Sequence, residues 1–341
     1  MRARTLLVAA ALVVPFALAG CGSDAAEPEP TASASTGDGT FPATVEHRYG
    51  TTVVPEAPER VVTVGVTEQD IVLQLGVVPV GVTEWYGEQP DATWPWAHDL
   101  LGGAHPEVLS VSDGFEFEKI AALEPDLIIG TNSGMSEKDY ELLSAIAPTV
   151  TNVAGGDKYF SPWRDQVLQI AAALGRTADG QAIIDETDAA YAEAAAAHPE
   201  WAGQTATFSQ GGPYDGLIYV YPDGLNTDFL TDLGFSMTQG LEGYAPEAGS
   251  QAEISAENTP LLEADVVVFA TESAKQFDGL QDFGTIGTLP AVTEGRAVYT
   301  DEILAGALYF LTPLSLDYTL DHLTPMLEAA SVGKAPRAYP S

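Results

Sequence analysis

The chain has 341 residues, with 49 acidic and 13 basic side chains and a formal net charge of −36. A surface so negative excludes nucleic acid as a partner and favours neutral or cationic ligands on approach. The single cysteine, Cys21, excludes a disulfide framework.

Arg2 and Arg4 precede an apolar run from Leu6 to Leu18, which ends in Leu18-Ala19-Gly20-Cys21. The run is short for a bilayer span and closes on small residues, so residues 1–20 read as a cleavable signal. Its form resembles a bacterial lipobox, which implies a mature chain that starts at Cys21 and carries a lipid there. Loss of Arg2 and Arg4 with the signal takes the net charge to −38. Residues 21–42 are mostly Ser, Ala, Thr, Glu, Asp, Pro and Gly, with Phe41 the one bulky apolar side chain, the composition of a tether. About 300 residues follow, enough for two domains with their own cores.

From there the pattern alternates between aliphatic runs and helical periodicity, which predicts an α/β fold with buried parallel strands. In the first half, strands are predicted near 60–66, 78–82, 127–129 and 149–153, with helices near 68–75, 117–123 and 136–146. The middle of the chain is the most helical part, opening at Ser161-Pro162 and interrupted around 175–180. Its second piece, near 178–197, would run about 30 Å at 1.5 Å per residue, long enough to join two lobes at a nearly fixed spacing. In the second half, strands are predicted near 205–209, 217–221, 266–270 and 297–300, with helices near 227–233, 256–263 and 313–330. The resulting division is an N-terminal lobe over 43–158, a connecting helical segment over 159–199 and a C-terminal lobe over 200–341. Two Rossmann-like lobes with the ligand cleft between them are expected.

An internal repeat supports two similar lobes. E-K-I-A-A-L-E-P-D-L-I-I starts at Glu118 and E-N-T-P-L-L-E-A-D-V-V-V at Glu257, which matches Glu118 with Glu257, Leu123 with Leu262, Glu124 with Glu263 and Asp126 with Asp265. Each copy reads as a short helix running into a buried strand, so Glu118 and Glu257 fall at matching helix starts. Such a pair suits a partner with two-fold symmetry. Glu at a helix start is also favourable to the helix dipole.

In parallel α/β sheets ligands bind beyond the carboxyl ends of the strands, so the loops leaving Val82, Ile129, Val153, Ser209, Tyr221 and Ala270 should line the cleft. The first of these holds Trp85, Tyr86, Trp94 and Trp96 among turn-forming and polar neighbours, which points to ligand contact by Trp85, Tyr86 or Trp94. Arg164 falls in the first turn of a helix with Ser161 as its expected N-cap, where a cation opposes the dipole. Either a nearby carboxylate compensates it, or its guanidinium fork meets oxygens of a ligand. In the second lobe Tyr214, beside Gly211-Gly212-Pro213, ranks above Tyr219 and Tyr221 as a ligand residue.

Rival functions lack their residues. The five histidines (His47, His98, His105, His198 and His322) show no metal-ligand spacing, and no Gly-x-Ser-x-Gly, His-Glu-x-x-His or phosphate-cradling loop occurs. A secreted enzyme is therefore disfavoured, and a purely structural surface lipoprotein would leave the aromatic loop without a reason.

The lipobox, the R-V-V-T-V-G-V strand, the L-G-V-V-P-V-G-V turn, the E-K-I-A-A-L-E-P-D-L-I-I segment and the connecting helix together resemble the iron-siderophore group of periplasmic-type substrate-binding proteins. The resemblance covers essentially everything after residue 43. It implies a non-enzymatic lipoprotein on the extracytoplasmic face of the cell membrane that delivers a ferric siderophore to an ABC permease dimer. Iron would be held by the chelate, with no protein cofactor, and Arg164 and tyrosines would face chelate oxygens. Glu118 and Glu257 would each meet an arginine of one permease subunit. The acidic surface favours a hydroxamate or mixed-ligand complex. Cobalamin or haem is the alternative cargo, since one scaffold serves all of them.

Overall fold

The computed structural model describes residues 39–155, 159 and 161–340. The signal, Cys21 and most of the tether lie outside the described residues. Strands β1 (Ala43–His47) and β2 (Gly50–Val54) form an antiparallel hairpin. They are followed by β3 (Val61–Thr63), β4 (Gly81–Glu84), β5 (Glu107–Ser110), β6 (Leu127–Gly130) and β7 (Thr149–Thr151). These five make a parallel sheet in the order β5-β4-β3-β6-β7. Every residue of β3, β6 and β7 is buried, which is why their sequences, apart from Gly130 at the end of β6, are aliphatic and threonine runs. The order reverses between β3 and β6, so a crevice opens beyond their carboxyl ends.

The second sheet contains β8 (Thr205–Gln210), β9 (Leu217–Tyr221), β10 (Ser236–Met237), β11 (Ala252–Ser255), β12 (Val266–Ala270) and β13 (Ala297–Tyr299). Its order is β11-β9-β8-β12-β13, with β10 pairing the first residues of β8. Here the expectation of uniformly parallel strands fails. β9 runs antiparallel to both β8 and β11, because residues 211–216 are too few for a parallel crossover and instead close a hairpin. Tyr221 reaches the cleft through its side chain, and the loop that follows it supplies Asn226 to the cavity wall on the first-lobe side.

The repeat acquires a structural meaning. Asp126 accepts the backbone N–H groups of Glu59 (2.7 Å) and Arg60 (2.9 Å), immediately before β3. Asp265 accepts the backbone N–H of Thr205 (2.8 Å) and its hydroxyl (2.9 Å), at the start of β8. Each aspartate thus pins the central strand of its own sheet. The helices of the two copies differ: Phe117–Ala122 is α-helical, whereas Ala256–Leu262 is a 3-10 helix containing Pro260, which lacks the N–H that an α-helical turn needs.

Helices Trp163–Ala173 and Thr177–Ala197 connect the sheets, with the break at Leu174–Arg176 and the end at His198. The N-cap of the first is Pro162, one residue later than expected. The C-terminal helix Pro313–Ser331 also packs on Thr177–Ala197 and on the first-lobe helix Glu68–Gln74. Buried Tyr191 donates to the Leu316 carbonyl across this contact at 3.2 Å. One apolar cluster consequently runs from Val61 and Leu127 through Ile170, Ile184 and Leu323 to Phe208 and Val268.

Asp70 sits at this junction and is fully buried. One of its oxygens accepts Trp96 Nε1 (2.7 Å) and Thr312 Oγ1 (2.7 Å), the latter from the N-cap of the C-terminal helix. Burial pushes its carboxyl up to about 7, against the pull of those two donors. The fold therefore keeps a proton that the unfolded chain has already released, and Asp70's contribution to stability is full below about pH 4 and is lost as pH rises to about 7. Thermal midpoints of the wild type and Asp70→Asn, measured from pH 4.5 to 8, should diverge across this window as the wild type loses stability relative to the variant. A constant difference between them would place the pH dependence elsewhere.

Candidate functional site

The crevice at the switch point is built by the turns after β3 and β6. Glu68, fully buried, binds them together: its carboxylate accepts the backbone N–H groups of Thr67 and Asn132 and the hydroxyl of Thr131. Burial raises its pKa, while these hydrogen bonds act in the opposite direction. Gly65 is required beside it, since a Cβ there would lie 2.0 Å from Glu68 Oε1. The sequence marks Glu68 only as a helix start, and nothing local distinguishes it from an exposed first-turn acid.

Two cavities open between the sheets. The one on the first-lobe side, about 410 Å³, is lined by Val66, Val111, Phe115, Asn132, Ser133, Tyr159 and Asn226 among others. The one on the second-lobe side, about 470 Å³, is lined by Tyr86, Gln210, Tyr214, Tyr221, Gln251, Glu272 and Gln276 among others. Trp85 and Tyr309 line both, so the two cavities share a wall and form one cleft. Among the described lining residues there is no Lys, Arg or His, and Glu272 is the one carboxylate.

The aromatic loop divides its labour. Trp85 is 40% exposed at the cleft and meets Tyr86 edge to face at 4.8 Å. The Tyr86 hydroxyl is buried with no hydrogen-bond partner, and burial followed by the Glu272 charge pushes its pKa far up. Trp94 lines neither cavity and is a correction to the expected ligand set. It is 2% exposed, stacks on Trp96 at 5.1 Å and presses on Gly306, where a Cβ would approach its ring to 2.4 Å. Pro95 starts a short helix directly after it and turns the indole toward helix Glu302–Phe310. Trp94 is thus part of the wedge behind the cleft.

Arg164 is in the first turn of its helix, as expected, but its guanidinium faces away from the cleft. It packs 4.3 Å above the Trp163 ring and pairs with Asp188, Asp228 (3.5 Å) and Asp232 (3.0 Å). Carboxylates from two other elements compensate the cation, and the fork lines neither cavity. Tyr214 stands at the tip of the β8–β9 hairpin, 72% exposed, on the cavity rim. Glu118 and Glu257 are exposed in the first turns of their matched helices. Glu272, Gln276 and Asn132 were not singled out from the sequence. Glu272 and Asn132 nevertheless lie in the loops leaving Ala270 and Ile129, which the strand-end rule already nominated. Tyr309 is held by its hydroxyl on the Ala270 carbonyl at 3.1 Å.

No group of three or more His, Cys, Asp or Glu side chains able to hold a metal ion occurs among the described residues. Nor is any described helix long and apolar enough to cross a membrane.

Comparison with known proteins gives a consistent picture. The chain is 29% identical over 277 residues to a Bacillus subtilis protein named probable siderophore-binding lipoprotein YfiY, covering 76% of this chain and 81% of that protein. It is 27% identical over 322 residues to the iron(3+)-hydroxamate-binding protein FhuD of the same organism, covering 93% and 95%. Among solved structures, a periplasmic solute binding protein from Mycobacterium smegmatis is 37% identical with a TM-score of 0.79, covering 85% of this chain and 98% of that one. PiaA of Streptococcus pneumoniae, solved in complex with ferrichrome, is 26% identical with a TM-score of 0.72, covering 86% and 99%. The family model described as periplasmic binding protein matches residues 61–304, and with its two sheets facing one cleft the chain belongs to that family of substrate-binding transport proteins, which are not enzymes.

Proposed function

We propose that this protein captures a ferric siderophore of hydroxamate or mixed type between its lobes and delivers it, chemically unchanged, to an ABC importer from a lipid anchor on Cys21 at the outer face of the cell membrane. The observation that carries this reading is the cleft itself: aromatic and amide walls with no basic side chain among the described lining residues. Such walls suit a bulky, uncharged or cationic chelate, with apolar contact from Trp85 and Tyr86 and hydrogen bonds from Asn132, Ser133 and the glutamines. Iron stays inside the chelate. The Bacillus relative YfiY, a probable siderophore-binding lipoprotein, supports siderophore cargo, and the iron(3+)-hydroxamate-binding FhuD and the ferrichrome complex of PiaA support the hydroxamate type.

Tryptophan-quenching titrations of the purified protein against ferric hydroxamates, a ferric tris-catecholate, cobalamin and haem test this reading. A neutral or cationic hydroxamate should bind most tightly, because nothing in the described cleft offsets three negative charges. Tighter binding of the tris-catecholate than of every hydroxamate would overturn the proposed class. In the same assay Trp85→Ala and Tyr86→Ala should each weaken binding by roughly tenfold, about 1.4 kcal/mol. Arg164→Ala should leave affinity near wild type, since its guanidinium serves the fold.

Glu118 and Glu257 are proposed as the docking pair for the two permease subunits. Within the repeat, the aspartates pin strands and Leu262 is wholly buried, whereas the two glutamates are exposed and perform no such task. Charge reversal at both, Glu118→Arg with Glu257→Arg, should preserve ligand affinity and impair siderophore-dependent iron uptake by cells. Normal uptake by the double variant would remove them from the delivery step.

A further inference from the structure

The second-lobe cavity has a feature that capture of a neutral chelate does not require. Glu272 is half-buried in its wall, and no Lys, Arg or His of the described lining residues accompanies it. Its backbone N–H donates to Gln276 Oε1 (2.7 Å), and its Oε2 accepts Gln276 Nε2 (3.1 Å), a reciprocal clamp that fixes where the charge sits. Three tyrosines around the cavity, Tyr86, Tyr221 and Tyr309, are made harder to ionise first by burial and further by this charge. Glu302 adds a second negative charge nearby. A partly desolvated carboxylate with no counter-ion is costly, and a cation arriving with the ligand would remove that cost.

The rest of the wall specifies what kind of cation. Trp85 and Tyr86 meet at 83°, and Tyr86 and Tyr309 at 58° with ring centres 6.1 Å apart, so aromatic surfaces bound the space on more than one side. Ring faces attract ammonium groups and pack on the alkyl chains that carry them. A hard metal ion needs several oxygen ligands, and one carboxylate among rings and amides does not supply them.

We infer that the second-lobe cavity receives a positively charged organic group, a protonated amine on a flexible arm of the cargo, and that Glu272 is the residue that selects for it. This rests on the siderophore reading above and narrows it to chelates with a cationic arm.

The test compares the full-length protein with Glu272→Gln. Ferrioxamine B, a trihydroxamate with a free terminal amine, is titrated beside its N-acetyl derivative, which has the same iron-binding core and no positive charge. The wild type should prefer the amine form by at least tenfold, and Glu272→Gln should bring the ratio close to one. Equal binding of both forms by the wild type, or a ratio that survives in Glu272→Gln, would overturn the inference and leave siderophore capture standing. If neither chelate nor ferrichrome binds, the siderophore reading falls and a second measurement decides the cation site alone. In it, n-pentylammonium and n-pentanol are titrated at millimolar concentration by tryptophan fluorescence. A response to the ammonium but not the alcohol, lost in Glu272→Gln, supports the site; no such response overturns it.

Discussion

A cleft between two β-sheets keeps its shape only if something incompressible stands between the sheets, and here that element is a continuous apolar core carried by helices. Thr177–Ala197 and Pro313–Ser331 pack on each other, and the second also reaches the first-lobe helix Glu68–Gln74. Asp70 joins Trp96 to the N-cap of the C-terminal helix inside this core. Close-packed interiors transmit displacement poorly as bending and well as rigid-body shift. A shared core of this kind favours closure by small movements of the lobes over a wide hinge opening.

The same core accounts for the division within the aromatic loop. Trp94 and Trp96 stack into the wedge against Gly306, Phe310 and Tyr318, whereas Trp85 and Tyr86 precede the turn and remain at the cleft. Spacing along the sequence cannot separate these roles, because what decides them is the position of helix Glu302–Phe310, more than two hundred residues away. The wedge also supports the binding surface. Phe310 touches Trp85 at 5.5 Å and Trp94 at 5.6 Å, so the indole at the cleft rests on the same ring that the buried one does.

Much of the fold was legible because doubly covered parallel strands must be aliphatic throughout. Of the parallel strands, β12 falls at the predicted limits and β6 and β8 each extend one residue further, and the antiparallel β9 also falls at its predicted limits because it is rich in aliphatic and aromatic residues. What escaped was structure without that signature. β5 has one buried residue, Leu109, at the edge of its sheet, and β11 alternates at an edge of the other. The antiparallel course of β9 follows from the length of its connection, which the strand pattern does not encode. At the site, the strand-end rule located the loops correctly, but side-chain direction was out of reach. Arg164 occupied the predicted turn and pointed to three aspartates that sequence distance had hidden. The buried acids Glu68 and Asp70 read as an ordinary first helical turn, and only the surrounding fold removes them from water.

Five of the chain's basic side chains serve the scaffold and not the cleft. Arg60 donates to the carbonyls of Leu123 and Glu124 and so closes the end of the first repeat helix. Arg296 pairs with Glu263 and donates to the Asp265 carbonyl in the matching place of the other lobe. Arg164 neutralises aspartates between the connecting helix and the second lobe, and Arg176 and Lys119 hold local acids. With these side chains committed to the scaffold, the described cleft walls are left with aromatic, amide and hydroxyl groups around one carboxylate. At physiological ionic strength the distant surface acids are screened beyond about 8 Å. Any discrimination by charge within the cleft would therefore fall to the groups that line it, and among the described lining residues Glu272 is the one carboxylate close enough to a seated ligand to act unscreened.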